Sequence, residues 1–396
     1  MNSLILICLS LLMGLVSCVT HTRTGLPMQY ADKAEIKGMP GVRAWGDRYS
    51  EVFQEDLINS IRQHLKTKPE GHNYRDDTIY ILALSGGGSN GAFAAGLIRG
   101  WDDLGTRPTF KLVTGISTGS LIAPFAFLGG KYDKIISDVY TSMSTDDILK
   151  RRHIFTLLRG AISAADSSPL AGILAKYVDE EMLKAIAEQH SKGRRLYIGT
   201  TNLDAHEAVI WNLGAIASSG HPDALKLIHQ VMLASASIPV AFPPQLIEVE
   251  AGGATYDEMH VDGGVTTEVF FYGFMLDIKA AHKTLGIKEG PQKRIYIVRS
   301  NQINPKYKIV QPKLMAIAGN ALSKLTSSQG LGDLYRIYLI TRRDGIDFNL
   351  ASIPDEFVAN PKEPFDSEEM NRLYDLAYKM AKSGYPWEKF PTGYHD

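Results

Sequence analysis

The run Thr78-Ile79-Tyr80-Ile81-Leu82-Ala83-Leu84, apolar, partly β-branched and stopped by glycines, constrains the fold more than any other stretch of this 396-residue chain. A short apolar run bounded by turn residues is a strand buried on both faces. Gly86 to Gly91 then form a turn, Ala92 to Leu104 is a helix, and Lys111-Leu112-Val113-Thr114 is a second short strand ending at Gly115. Another helix opens after Ser117. Strand, turn, helix, strand, turn, helix is the pattern of βαβ crossovers, which require a parallel sheet with helices on both faces. The expected fold class is therefore α/β with a mostly parallel central sheet.

The rest of the chain extends this pattern. Val52, Phe53, Leu57, Ile58, Ile61 and Leu65 recur at helical spacing, so Val52 to Leu65 is a first amphipathic helix. Further strands are expected at 195–202, 208–212 and 295–299, and a helix at 224–234, after which Pro239, Pro243 and Pro244 break regular structure. Asp366 with Glu369 three residues on predicts a capping box, opening a helix that runs to about Lys382 and stops at Gly384. With 44% hydrophobic residues and a net charge of −1, the chain has the composition of a globular protein with a sizeable core, and no basic cluster of the kind that binds nucleic acid. Length leaves the number of domains open. The sequence calls for no metal and no other cofactor.

Leu4 to Leu15 is an apolar stretch of signal-peptide length, too short to span a bilayer as a helix. Leu15-Val16-Ser17-Cys18 follows and resembles the bacterial lipobox, in which the cysteine is acylated and becomes the new N-terminus, although Met1-Asn2-Ser3 lacks the usual basic residue. The chain is accordingly expected to be exported, with 1–17 as signal peptide, Cys18 as lipidation site and 18–41 as a polar tether. Val19 after the cysteine resembles the signal for the outer membrane, with the body facing the periplasm. Cys8 and Cys18 are the only cysteines, so the mature chain has no intramolecular disulfide.

Three segments carry chemistry. Gly115-Ile116-Ser117-Thr118-Gly119 is a G-x-S-x-G between an apolar strand and an apolar helix. There a serine sits on a tight turn at a helix N-terminus, where free N–H groups favour developing negative charge. Ser85-Gly86-Gly87-Gly88-Ser89-Asn90-Gly91 follows the first strand, and successive glycines let backbone N–H groups line a cavity as in an oxyanion hole. Gly86, Gly88 and Gly91 also satisfy a dinucleotide-binding spacing, but the acidic residue which that reading wants after the next strand is absent. His260-Val261-Asp262-Gly263-Gly264 puts an aspartate at a strand end before two glycines, a pattern that taken alone is equally a turn.

Together these segments resemble the patatin-like phospholipases, whose pattern is a glycine-rich oxyanion loop, a G-x-S-x-G and a downstream D-G-G or D-G-A. Asp166-Ser167-Ser168-Pro169-Leu170, Thr201-Asn202-Leu203-Asp204 and Ala234-Ser235-Ala236-Ser237-Ile238-Pro239 with Phe242-Pro243-Pro244 are similar to further blocks of that family. The resemblance runs from about Ile79 to Arg299. It implies a three-layer α/β/α sandwich over 42–300, whereas 301–396 match no block of the family and are expected to form a C-terminal helical elaboration packed on the same body. It also implies Ser117 as nucleophile, Asp262 as the base of a dyad, and Gly86, Gly87 and Gly88 as oxyanion donors supported by Gly91, Gly115, Gly119, Gly263 and Gly264. The implied substrate is a phospholipid or other fatty-acyl ester. One departure is Asn90, where the family usually has Lys or Arg. Two other readings remain: a Ser-Asp-His triad, for which only His282 and His395 follow Asp262, and a tethered lipoprotein that keeps the fold without catalysis.

The N-terminal reading makes its own prediction. Cys18→Ala should remove the acyl mass from the mature protein and release or misprocess it, as read by mass spectrometry of the membrane fraction. The same acyl mass on the variant would refute the lipobox.

Overall fold

The computed structural model describes residues 23–152, 162–273, 275–304, 307 and 309–394, so the signal segment, Cys18 and His395 lie outside the described residues. One nine-stranded sheet organises the chain. Its strands are β1 (Arg43–Trp45), β2 (Thr78–Leu84), β3 (Leu112–Ile116), β4 (Arg195–Asn202), β5 (Glu207–Asn212), β6 (Gln245–Ala251), β7 (Ala254–Asp262), β8 (Gln292–Arg299) and β9 (Ile346–Ser352). Along the main path the order is β1-β5-β4-β3-β2-β8-β9, with β6 and β7 joined to the end of β4. From β4 to β9 every neighbouring pair on that path is parallel, while β1, β5, β6 and β7 pair antiparallel. The expected α/β class with a mostly parallel sheet is what the chain adopts.

The helices used below are α1 (Glu51–Lys66), α2 (Gly91–Asp103), α3 (Thr118–Leu128), α4 (Lys131–Ser142), α5 (Ser168–Tyr177), α6 (Glu180–Ser191), α7 (Ala224–Ser235), α8 (Ile278–Thr284), α9 (Leu314–Asp344) and α10 (Ser367–Lys382). The two-residue alternation of a strand divides them into two layers. Leu82 and Leu84 of β2 pack with Phe93 and Leu97 of α2, Ile122 of α3 and Leu373 of α10. Ile79, Ile81 and Ala83 turn to the opposite face and meet Phe53 and Ile61 of α1, Ala281 of α8 and Leu334 of α9. Both faces of β2 are thus covered, which is why its sequence is a continuous apolar run rather than an alternating one.

Several elements escaped the sequence reading, α4, α5, α6 and α8 among them. β6 and β7 form a hairpin whose two turn residues, Gly252 and Gly253, hold φ of 57° and 81°, values that favour glycine in a two-residue turn. Residues 301–396, read as helical, also supply β9, which pairs with β8 along its whole length. Ile346, Phe348 and Leu350 alternate with Asp347 and Asn349, the signature of a strand, and the three apolar residues face the α1 and α9 layer. Asp366 caps α10 by accepting from the Glu368 and Glu369 N–H groups, but Glu369 bonds the Asn360 N–H instead of closing a capping box.

The contact of α10 with α2 ties this C-terminal segment to the glycine loop. A Cβ at Gly96 would overlap the Tyr374 carbonyl oxygen, and one at Gly100 would overlap that of Tyr378. Gly96→Val should therefore force the helices apart. A loss of about 1–3 kcal/mol in stability, read as a lower thermal midpoint, is expected.

Candidate active site

β3 and β7 lie against the same edge of β4, one after the other. β3 pairs parallel with β4 as far as Ile116 opposite Gly199, and β7 pairs antiparallel from Thr200 opposite Asp262. The two strands therefore end facing each other, and the residue after Ile116 meets the last residue of β7. Ser117 Oγ donates to Asp262 Oδ2 at 2.6 Å, and both side chains are buried.

Ser117 occupies this turn with φ 53° and ψ −125°, a conformation in the positive-φ region that costs a non-glycine residue about 1–3 kcal/mol. Neighbouring bulk would prevent it. A Cβ at Gly115 would overlap the Gly119 carbonyl, and one at Gly119 would overlap that of Leu84, so the turn presses on the end of β2 only because both positions lack side chains. Gly263 approaches the Gly199 carbonyl closely on the Asp262 side. Gly91 approaches Thr118 in the same way.

The Ala234-to-Pro239 block fixes both partners. Ser235 Oγ accepts the Ser117 N–H at 3.0 Å and donates to Gly199 O at 2.7 Å. The Ser237 carbonyl accepts the Asp262 N–H at 2.9 Å. Sequence reasoning noted this block only as a resemblance and gave these serines no role.

Asp262 Oδ1 accepts the Gly264 N–H at 2.8 Å. Burial raises the Asp262 carboxyl to about 6, against the opposing effect of these two hydrogen bonds. Glu258, two residues earlier on β7, is held down to about 2 because His260 and Arg43 bond it, overcoming the effect of burial. His260 uses both ring nitrogens, Nδ1 with Thr200 Oγ1 at 2.9 Å and Nε2 with Glu258 at 3.1 Å, so neither faces the serine.

The glycine loop divides the three predicted donors. The Gly86 N–H already donates to the Glu268 carbonyl at 3.1 Å, which removes it from the set. The N–H groups of Gly87 and Gly88 have no partner among the described residues. A Cβ at Gly87 would run into Ser300, so the loop lies tightly on the end of β8. Glu268, missed by the sequence reading, anchors the loop with its carbonyl while its side chain accepts from Asn301 Nδ2 at 2.6 Å. Burial raises that carboxyl to about 7 despite Arg299, whose Nη2 lies 3.5 Å away. Asn90 Nδ2 reaches Asn301 Oδ1 at 3.5 Å. Nothing in the spacing around Thr266-Thr267-Glu268 marked this residue.

His282 lies elsewhere: it lines a separate cavity with Lys111 and Arg195, its ring edge-on to Tyr74. Two cavities do meet at Ser117, Gly88 and Ile238. The smaller is walled by apolar side chains including Leu121, Phe125, Leu170, Phe242, Phe365 and Met370. The larger holds Asp262, Glu268, Asn90, Asn301 and one face of α9. Among the described residues no cluster of His, Cys, Asp and Glu could hold a metal ion.

An α/β/α sandwich carrying a strained serine at a strand-to-helix turn, hydrogen-bonded to a buried carboxylate, defines a class of fold and site. Residues 82–274 match the family model of the patatin-like phospholipases, and the chain carries a domain of that family. No curated protein matches the chain. Among solved structures, VipD from Legionella pneumophila is similar at 12% identity and a TM-score of 0.39, covering 77% of this chain and 66% of that one. ExoU of Pseudomonas aeruginosa, solved with SpcU, is 12% identical with a TM-score of 0.34, covering 78% of this chain and 52% of that one. Human GIVD cytosolic phospholipase A2 is 8% identical with a TM-score of 0.34, covering 86% of this chain and 64% of that one. The chain thus spans between about half and two thirds of the length of these structures.

The environment of Asp262 has a measurable consequence for stability. Between about pH 4 and 6 the folded protein holds this proton more tightly than the unfolded chain, so stability falls as pH rises through that window. Asp262→Asn cannot ionise and should exceed the parent by up to about 3 kcal/mol at pH 7–8, with the difference vanishing at pH 4. Denaturant midpoints across that range measure it, and an Asn variant no more stable at pH 8 than at pH 4, relative to the parent, contradicts the raised carboxyl.

Proposed function

We propose that the protein is a lipid acyl hydrolase, a phospholipase or esterase, working through a Ser117–Asp262 dyad. The single observation that carries this reading is the 2.6 Å hydrogen bond from Ser117 Oγ to a desolvated Asp262, where two cavities meet. A carboxylate in water is a weak base, and burial to about 6 brings Asp262 into the range where it accepts a proton near neutrality.

In this mechanism Asp262 takes the Ser117 proton as Oγ attacks the ester carbonyl. The Gly87 and Gly88 N–H groups receive the oxyanion, with the α3 N-terminus adding favourable potential. Collapse expels the alcohol, which leaves with the proton from Asp262, and an acyl-enzyme remains on Ser117. Water, deprotonated by the same carboxylate, then releases the fatty acid and restores the serine. The apolar cavity suits the acyl chain, and the cavity with Asn90, Asn301 and Glu268 suits the alcohol portion. Acylation of Cys18 would keep the enzyme beside such substrates at the outer membrane.

Ser117→Ala should abolish hydrolysis of a short-chain nitrophenyl ester and labelling by a fluorophosphonate. Asp262→Asn should lower kcat/KM by about 10²–10⁴, and the parent's kcat/KM should fall as pH drops through about 6, where the base becomes protonated. His282→Ala should be nearly silent. A folded Ser117→Ala protein that still turns over the ester, or a crippled His282→Ala protein, refutes this mechanism.

A further inference from the structure

The helix α9 carries a surface that the chemistry at Ser117 does not use. From Leu314 to Ser323 it has no charged residue, and Lys313 and Lys324 bracket that stretch. Two neighbouring stripes of the helix have different surroundings. Ala318, Leu322 and Thr326, spaced four apart, line the larger cavity beside Ser117. Ile317, Ala321 and Leu325, spaced in the same way one position earlier, are exposed, Ile317 at 53% and Leu325 at 69%. Other apolar side chains flank the opening. Val240 and Val265 line the cavity and also reach solvent, and the exposed Val358 sits between the lining residues Phe357 and Ala359. Val240 holds its place at φ 71°, a strained conformation for a β-branched residue.

An uncharged apolar stripe beside a cavity mouth is unfavourable in water and favourable at the boundary of a bilayer, where flanking lysines reach the headgroups. We infer that the exposed face of α9, with the valines at the cavity rim, docks the protein on a lipid surface. The occupant is lipid rather than a second copy of the chain because the stripe adjoins the opening that leads to Ser117. A protein seated there would close that opening, whereas a bilayer would feed acyl chains into it without passage through water. Docking is a binding property, so it is measured separately from the hydrolase reading.

Full-length protein with a bimane fluorophore on Leu325→Cys, mixed with vesicles of phosphatidylcholine and phosphatidylglycerol, provides the test. Emission should shift to the blue and be quenched by lipids brominated along the acyl chains, while the same fluorophore on Glu188→Cys of α6 stays unquenched. Ile317→Ser combined with Leu325→Ser should slow hydrolysis of vesicle lipid about tenfold and leave turnover of a soluble short-chain nitrophenyl ester unchanged. Ile317→Phe with Leu325→Phe should restore the vesicle rate. Absent quenching at position 325, equal quenching at 325 and 188, or equal losses on vesicle and soluble ester would overturn the docking face. A blue shift that needs only higher protein concentration would assign the face to a second copy and overturn it as well. Selective quenching in a protein with no esterase activity would keep the docking face while removing the hydrolase reading.

Discussion

The hydrogen bond between Ser117 and Asp262 joins residues 145 positions apart, and it exists because β3 and β7 end head to head on one edge of β4. Much of the local structure serves that meeting. Gly115, Gly119 and Gly263 remove the Cβ atoms that would hold the turns apart, and Ser235 and Ser237 bond the backbone of each partner. The strain at Ser117 persists because these contacts, on all sides, leave the turn no alternative. A serine presented in this way is held in one orientation before any ligand arrives.

The buried charges near the site fall into two kinds. Glu258 is ionised in the interior because Arg43 and His260 bond it, and this set joins the end of β7 to β1 and β4. Asp262 has no such cation: its partners are a hydroxyl and one N–H, and desolvation wins. A carboxylate paired with arginine is a poor proton acceptor, whereas one left in a desolvated pocket is destabilising and basic. The fold tolerates that cost at Asp262 and pairs Glu258 only four residues away.

Much of this was legible in the sequence. The apolar run of β2, the G-x-S-x-G after β3 and the glycine loop each impose a local geometry, and local geometry is what residue order records. Many strand and helix positions between Val52 and Arg299 followed from periodicity for the same reason, although α4, α5, α6 and α8 were passed over. The Gly252-Gly253 hairpin and the alternation of Ile346 to Leu350 were equally readable and were passed over. What the sequence could not reveal is contact between distant segments. The Glu268 carbonyl takes the N–H of Gly86, and no spacing rule connects position 268 to position 86. Gly86 was therefore counted as a donor when only Gly87 and Gly88 are free among the described residues.

The family match ends at residue 274, but neither the sheet nor the cavities end there. β8 and β9 complete the parallel half of the sheet, and the residues just after β8, Ser300 and Asn301, back the glycine loop and bond Glu268. α9 walls the larger cavity, and Phe365 and Met370 help close the other. Asn90, where a cation is usual, faces Asn301 from this same segment. Ser117 and Asp262 lie within the matched part of the chain, while much of the lining of the larger cavity comes from beyond residue 300.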